Sequence, residues 1–248
     1  SILKLGLHEL VEDSDLKYLL FQGSLLQLTE GIPYQYVVGN AEFYGCKIQV
    51  NPTVLIPRPE TEELVEWVLK DIRNKQENVT IMDLCSGSGC IAIALSKNLP
   101  EAHVYGLEID ENAVKLASAN AEYNQVQVGF TQSDLLETKV LNYTEPFDII
   151  ISNPPYIREF EKEGMEDIVL KNEPEKALFV PDTDPLVFYR KIIDFASVNL
   201  KSSGTVYVEI NQELGKETKE LFLLHFNFVE LKQDLSGNFR MIKAKGIN

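Results

Sequence analysis

Apolar residues along this chain recur at two spacings, and the alternation between them predicts a succession of helices and strands. Leu3, Leu7, Leu10 and Val11 fall three or four apart, and Leu16, Leu19 and Leu20 resume that spacing after Ser14-Asp15, a pair suited to cap a helix. Gly31-Ile32-Pro33 ends this helical stretch. Tyr34-Gln35-Tyr36-Val37-Val38 and Ala41-Glu42-Phe43-Tyr44, separated by Gly39-Asn40, then read as a hairpin, with Lys47-Ile48-Gln49-Val50 as a further strand. Glu60-Thr61-Glu62-Glu63 places acids in a positive first helical turn, and Leu64, Val65, Val68, Leu69 and Ile72 give that helix a buried face.

From residue 80 onward short apolar runs alternate with helical patterns. Residues 80–84, 104–107, 126–131 and 147–151 read as buried strands. A helix begins at Cys90-Ile91-Ala92-Ile93-Ala94-Leu95 and is closed by Pro100, and another follows Asp110 with Val114, Ala117 and Ala121 on one face. Residues 157–184 form the longest irregular stretch, of the kind that serves as a lid or substrate contact when it lies at a ligand edge. A helix over about 185–200, a strand over 205–210, a helix over 213–226 and strands near 228–232 and 240–245 complete the chain, the last two turning at Gly237-Asn238. The prediction is an α/β fold whose mostly parallel sheet ends in an antiparallel hairpin.

Chemistry gathers at the carboxyl ends of the predicted strands, the edge on which open α/β sheets place ligands. Cys85-Ser86-Gly87-Ser88-Gly89 follows the first strand and leads into a helix, so its glycines permit a tight turn and close approach to a ligand. Glu108 ends the second strand, placed to accept ribose hydroxyls, and Ser133-Asp134 ends the third, where an adenine would lie. After the fourth comes Asn153-Pro154-Pro155-Tyr156. Neither proline can donate a backbone hydrogen bond, and Asn153, preceding proline, is held out of the helical region. Free carbonyls and the Asn153 side-chain oxygen thus form a cluster of acceptors beside an aromatic ring, suited to a planar group that carries NH2. Gly87-Ser88-Gly89-Cys90-Ile91-Ala92 also fits the loose dinucleotide pattern, but the order of the four parts argues against an NAD enzyme.

Composition narrows the partner. With 38 acids against 23 bases the formal net charge is -15, and no basic stripe or arginine-rich arm stands out, which favours a protein or small-molecule substrate over a polyanion. The 248 residues, 44% of them hydrophobic, allow one full α/β domain and a small appendage. No run has the apolar length of a membrane span, and no secretory signal is found. Cys46, Cys85 and Cys90 have neither redox-pair nor zinc spacing and read as reduced packing residues of a cytoplasmic protein with no metal site; His8, His103 and His225 are scattered and read as structural.

Ile56-Pro57-Arg58-Pro59-Glu60-Thr61-Glu62, the Asp83-to-Gly89 loop, Ser152-Asn153-Pro154-Pro155-Tyr156-Ile157 and Glu173-Pro174 through Ala177-Leu178 together resemble the release factor glutamine methyltransferase family (PrmC/HemK). Asn-Pro-Pro-Tyr alone is common to several amino-group methyltransferases; the Pro-Arg-Pro-Glu-Thr-Glu segment is more specific. The resemblance covers the chain from about Gly31 onward and implies a Rossmann-like class I S-adenosylmethionine-dependent methyltransferase fold. That fold is a seven-stranded, mostly parallel sheet with an antiparallel terminal hairpin, plus a small N-terminal helical domain joined by a β-hairpin. Its implied organisation is a substrate-binding helical segment over 1–32, extending upstream of Ser1, a connector over 33–53 and a catalytic domain over 54–248.

The family's activity is methylation of the side-chain amide of the glutamine in the Gly-Gly-Gln motif of class I peptide chain release factors, with S-adenosylmethionine converted to S-adenosylhomocysteine. By position, the resemblance implies cofactor binding by Cys85, Ser86, Gly87, Ser88, Gly89, Glu108, Asp134, Leu135 and Asn153. Asn153, Pro154, Pro155 and Tyr156 would hold and activate the target amide, Tyr156 by stacking, with Arg58 and Glu173 as further substrate contacts. Cys85 stands where many relatives have glycine, and Leu135 where some have an aromatic residue, so adenine would be held by aliphatic packing. A nucleic-acid exocyclic-amino methyltransferase, acting on adenine N6 or guanine N2, is the alternative; it requires a basic face. No direct nucleic-acid contact is expected, and a monomer suffices.

Overall fold

The computed structural model describes residues 13–72, 78–137 and 145–247; the predicted helical pattern of residues 3–11 lies outside them. In chain order the elements are α1 (Asp13–Thr29), α2 (Tyr34–Val38), β1 (Asn40–Phe43), β2 (Cys46–Gln49), α3 (Pro59–Ile72), β3 (Thr80–Leu84), α4 (Cys90–Asn98), β4 (His103–Glu108), α5 (Glu111–Tyr123), β5 (Val128–Gln132) and β6 (Phe147–Ser152). There follow β7 (Ile157–Arg158), α6 (Asp167–Asn172), β8 (Phe179–Val180), α7 (Val187–Asn199), β9 (Leu200–Glu209), α8 (Gly215–Leu223), β10 (Phe226–Gln233) and β11 (Phe239–Ile247).

Among the described residues seven strands form one sheet in the order β10-β11-β9-β6-β3-β4-β5. The five from β9 to β5 are parallel to one another, and β11 runs antiparallel to both β9 and β10. Side chains along each inner strand alternate between two cores, as the two-residue strand period requires. Ile81, Ile149, Ile151, Tyr207 and Met241 pack on one face with α3, α4, α5 and the β1–β2 hairpin. Met82, Leu84, Ile150, Val206, Val208 and Ile242 pack on the other with α7 and Phe222 of α8. Continuous apolar strands are thus explained by burial on both faces.

Three expectations are corrected. Tyr34–Val38 is a helix, so the hairpin is β1–β2, turning at Tyr44-Gly45. Ser14 and Asp15 lie inside α1, not ahead of it. Residues 157–184 are not irregular throughout, since β7 pairs in parallel with β8 and α6 lies between them. Among the described residues no helix is long and apolar enough to cross a membrane, and no cluster of His, Cys, Asp or Glu could hold a metal ion.

Candidate active site

The loop after β3 is shaped by backbone conformations that a side chain opposes. Cys85, Gly87 and Gly89 have φ of 59°, 52° and 78°. A Cβ on Gly89 would lie 2.7 Å from the Phe130 ring, whereas on Gly87 it would enter open space. Gly89 N donates to Ser86 O at 2.8 Å, and Gly89 caps α4. Asp83 is fully buried, with Oδ2 accepting from Ala92 N at 3.2 Å in the first turn of α4, while its Oδ1 and the Ser86 Oγ have no hydrogen-bond partner among the described residues. Burial, with the nearby Glu108 charge, pushes the Asp83 carboxyl well above the usual carboxylate range, and burial likewise raises the Cys85 thiol.

Glu108 at the end of β4 is fixed by backbone amides. Gly87 N donates to Oε2 at 2.9 Å, and Ile109 N and Asp110 N donate to Oε1 at 2.9 and 3.1 Å. A carboxylate has about four acceptor positions, so Oε2 retains capacity for a ligand hydroxyl. A cavity of about 380 Å³ runs from Glu108 past the glycine loop to Asn153, a size typical of small-molecule sites. Asp134 and Leu135 also line it. Asp134 Oδ1 is engaged by Leu136 N at 2.8 Å, and Leu135 supplies an aliphatic wall.

At the far end β6 delivers Asn153. The register Ser152↔Val208 brings the following residues, Asn153 and Glu209, to the same rim of the sheet. Asn153 Nδ2 donates to Thr61 Oγ1 at 3.0 Å, and Thr61 Oγ1 donates to Glu209 Oε2 at 2.7 Å. The other carboxylate oxygen, Oε1, accepts from Tyr156 OH at 2.9 Å. No donor from the described residues reaches Asn153 Oδ1 or the Pro154 carbonyl. Burial raises the Glu209 carboxyl above its ordinary value, against the opposing pull of the Thr61 and Tyr156 hydrogen bonds and the Arg240 charge.

An ion pair ties together two segments that line the cavity. Arg58 Nη2 pairs with Glu173 Oε1, and Ile56 N donates to Glu173 Oε2 at 3.1 Å. Pro57, Arg58, Pro174 and Lys176 consequently line the opening.

Of the residues singled out from sequence, Arg58, Cys85, Ser86, Gly87, Ser88, Glu108, Asp134, Leu135, Asn153 and Pro155 line this one cavity. Gly89, Pro154, Tyr156 and Glu173 are not among its lining residues. Tyr156, half-buried, packs against the core that includes α7, and its hydroxyl donates to Glu209. Thr61 and Glu209 went unnoticed, the first within a quoted motif and the second at a strand end 148 residues away, where no local pattern marks it.

Residues 64–174 match the Methyltransferase small domain family. Two solved structures share the fold. The hMettl16 catalytic domain is 16% identical with a TM-score of 0.65, the match covering 87% of this chain and 82% of that one. Human methyltransferase 10 domain containing protein is 16% identical with a TM-score of 0.56, over 82% and 90% of the two chains. Closer in sequence is the release factor glutamine methyltransferase of Flavobacterium psychrophilum, 48% identical over 95% of this chain and 85% of its own length. That of Bacteroides thetaiotaomicron is 42% identical over 89% and 78%. The strand-end loops, the Asn153 rim and this identity across nearly the whole chain place it in the release factor glutamine methyltransferase family.

Proposed function

We propose that this chain methylates the side-chain amide nitrogen, N5, of the glutamine in the Gly-Gly-Gln motif of class I peptide chain release factors, using S-adenosylmethionine. The observation that carries the reading is Asn153, whose Oδ1 is reached by no donor among the described residues, at the end of a cavity shared with the glycine loop and Glu108, with the Pro154 carbonyl next to it in the chain.

The residues present fit that cofactor. Open space stands before Gly87, the Ser86 Oγ in the cavity wall lacks a protein partner, and Glu108 Oε2 has acceptor capacity for a ribose hydroxyl. Cys85 to Gly89 would hold its methionine part, Glu108 the ribose, and Asp134 and Leu135 the adenine. When bound, S-adenosylmethionine supplies an electrophilic methyl group on a sulfonium. The protein's own contribution is to present the amide. An amide nitrogen is a poor nucleophile because its lone pair is shared with the carbonyl. Accepting one N–H at Asn153 Oδ1 and the other at the Pro154 carbonyl orients the nitrogen toward the cofactor end of the cavity. Such positioning is worth at most about 7–11 kcal/mol. The same acceptors gain strength as positive charge grows on nitrogen, which favours the transition state over the ground state. Glu209, which accepts from Tyr156 and Thr61, is joined to Asn153 through Thr61. The Arg58–Glu173 pair holds Arg58 at the cavity wall.

Residues 1–32 serve as the release-factor-binding segment and 33–53 as its connector; exposed Leu19, Leu20, Phe21 and Leu26 of α1 support that assignment. The protein works as a cytoplasmic monomer. The test is incubation with methyl-labelled S-adenosylmethionine and, separately, release factor, DNA and RNA. Label is expected in release factor, at the glutamine; label in nucleic acid and none in release factor would overturn the reading.

A further inference from the structure

Which end of an asparagine amide faces a substrate is not decided by the asparagine, because Oδ1 and Nδ2 have nearly the same shape. Only the acceptor end can receive an N–H of the target; the donor end would meet that N–H with another. Something must therefore choose.

We infer that Glu209, acting through Thr61, is the positioning residue that turns the Asn153 oxygen toward the target amide. The relay runs from Glu209 through Thr61, both buried, to half-buried Asn153. Glu209 is 1% exposed and its two oxygens each take a hydroxyl, from Thr61 at 2.7 Å and Tyr156 at 2.9 Å. As an acceptor of both, it commits the single Thr61 proton to itself. Thr61, 2% exposed, is then left only with lone pairs for its other neighbour, and these accept from Asn153 Nδ2 at 3.0 Å. With its NH2 anchored, Asn153 presents Oδ1 to the cavity. The sense of the relay is set at the carboxylate and transmitted through one hydroxyl.

The backbone holds the relay in register. Glu209 is aligned with Asn153 by the β6–β9 pairing, and β11 locks it from the other side through the Met241↔Glu209 pair. Thr61 is pinned in the first turn of α3 by Thr61 N donating to Arg58 O at 3.1 Å. A core that needed only packing would not bury a carboxylate here, since an uncompensated buried charge is destabilising.

This inference rests on Asn153 acting as the acceptor, and the experiment separates the two claims. Thr61→Val, Thr61→Ser, Glu209→Gln and Asn153→Ala are compared in full-length protein for kcat and KM with release factor, for S-adenosylmethionine binding by calorimetry, and for melting temperature. Thr61→Val removes the hydroxyl at constant shape, and Glu209→Gln allows an NH2 to donate to Thr61 and reverse the relay. Each is expected to lower kcat roughly tenfold to a hundredfold, with KM and cofactor binding nearly unchanged, and Thr61→Ser is expected to recover most of the loss. In 15N-labelled protein, hydrogen exchange of the Asn153 side-chain NH2 should be slow in wild type and Thr61→Ser and fast in Thr61→Val. This readout remains available if a variant is too unstable for kinetics, because the wild type and Thr61→Ser alone must show it protected. Wild-type kcat in both Thr61→Val and Glu209→Gln, or a Thr61→Ser loss equal to that of Thr61→Val, or fast exchange in wild type, would overturn the inference while a dead Asn153→Ala leaves the acceptor reading intact. Full turnover by Asn153→Ala would remove that reading itself.

Discussion

Arg58 and Glu173, 115 positions apart in the chain, form an ion pair in which the Glu173 side chain is almost wholly buried and the Arg58 side chain is 32% exposed. Glu173 also receives Ile56 N at 3.1 Å, so one buried carboxylate ties the segment before α3 to the segment after α6. Both had been expected to touch substrate directly; their partnership assigns them first to each other.

Removing the guanidinium leaves Glu173 buried with only a backbone amide. Arg58→Ala should destabilise the protein by about 1–3 kcal/mol. Arg58→Ala/Glu173→Gln should recover part of that loss, because the unpaired charge is gone. Urea unfolding of the two variants measures this, and a double variant no more stable than Arg58→Ala would argue against the pairing as the cause.

The proposed function gives Asn153 the role of side-chain acceptor for the target amide, through an oxygen that no donor among the described residues engages. Asn153→Ala should keep S-adenosylmethionine binding, measured by calorimetry, and lose methyl transfer to release factor on the order of a hundredfold or more. Equal turnover by variant and wild type would refute its role.

Cys85 adopts φ of 59°, a region that favours glycine. Cys85→Gly should leave stability within about 1 kcal/mol of wild type, relief of backbone strain offsetting the added freedom of the unfolded chain. Cys85→Val, with a branched Cβ in the same conformation, should lose more than about 1 kcal/mol. Thermal unfolding of the pair decides, and equal stability of the two variants would show that the backbone there is unstrained.

Asp83 is held by burial well above its ordinary value of 3.8, so the folded protein keeps a proton that the unfolded chain releases. The stability this gives is fully present below 3.8 and is lost as pH rises toward the folded-state value. The slope is at most about 1.4 kcal/mol per pH unit. Asp83→Asn should flatten that decline. Glu209 is shifted in the same direction, so part of the slope remains. Unfolding free energies from pH 4 upward, with identical slopes in variant and wild type, would exclude Asp83 as the source.

Much of the catalytic half was legible because doubly buried parallel strands are continuous apolar runs, and because the loops at their ends carry residues that ordinary loops do not need. Tyr34–Val38 misled for a physical reason. Its aromatic and β-branched residues favour a strand in isolation, but Tyr36 N and Val37 N bond to Pro33 O at 3.0 and 3.2 Å, and Gly39 at φ of 78° closes the turn. Five residues are too few for periodicity to decide. Thr61 and Glu209 were illegible for the opposite reason. Each sits in an element that was predicted, but their meeting depends on how α3 lies across the end of β9, and nothing local encodes that.

The strand order gives β11 a place between β10 and β9 rather than at an edge. During synthesis β9 therefore waits with an open flank until β11 has left the ribosome, and the carboxylate at its tip gains its neighbour on that side only then. Assembly of the rim is thus deferred until β11 has been made, so a chain interrupted before residue 239 would carry every motif read from the sequence and still lack the strand that steadies Glu209.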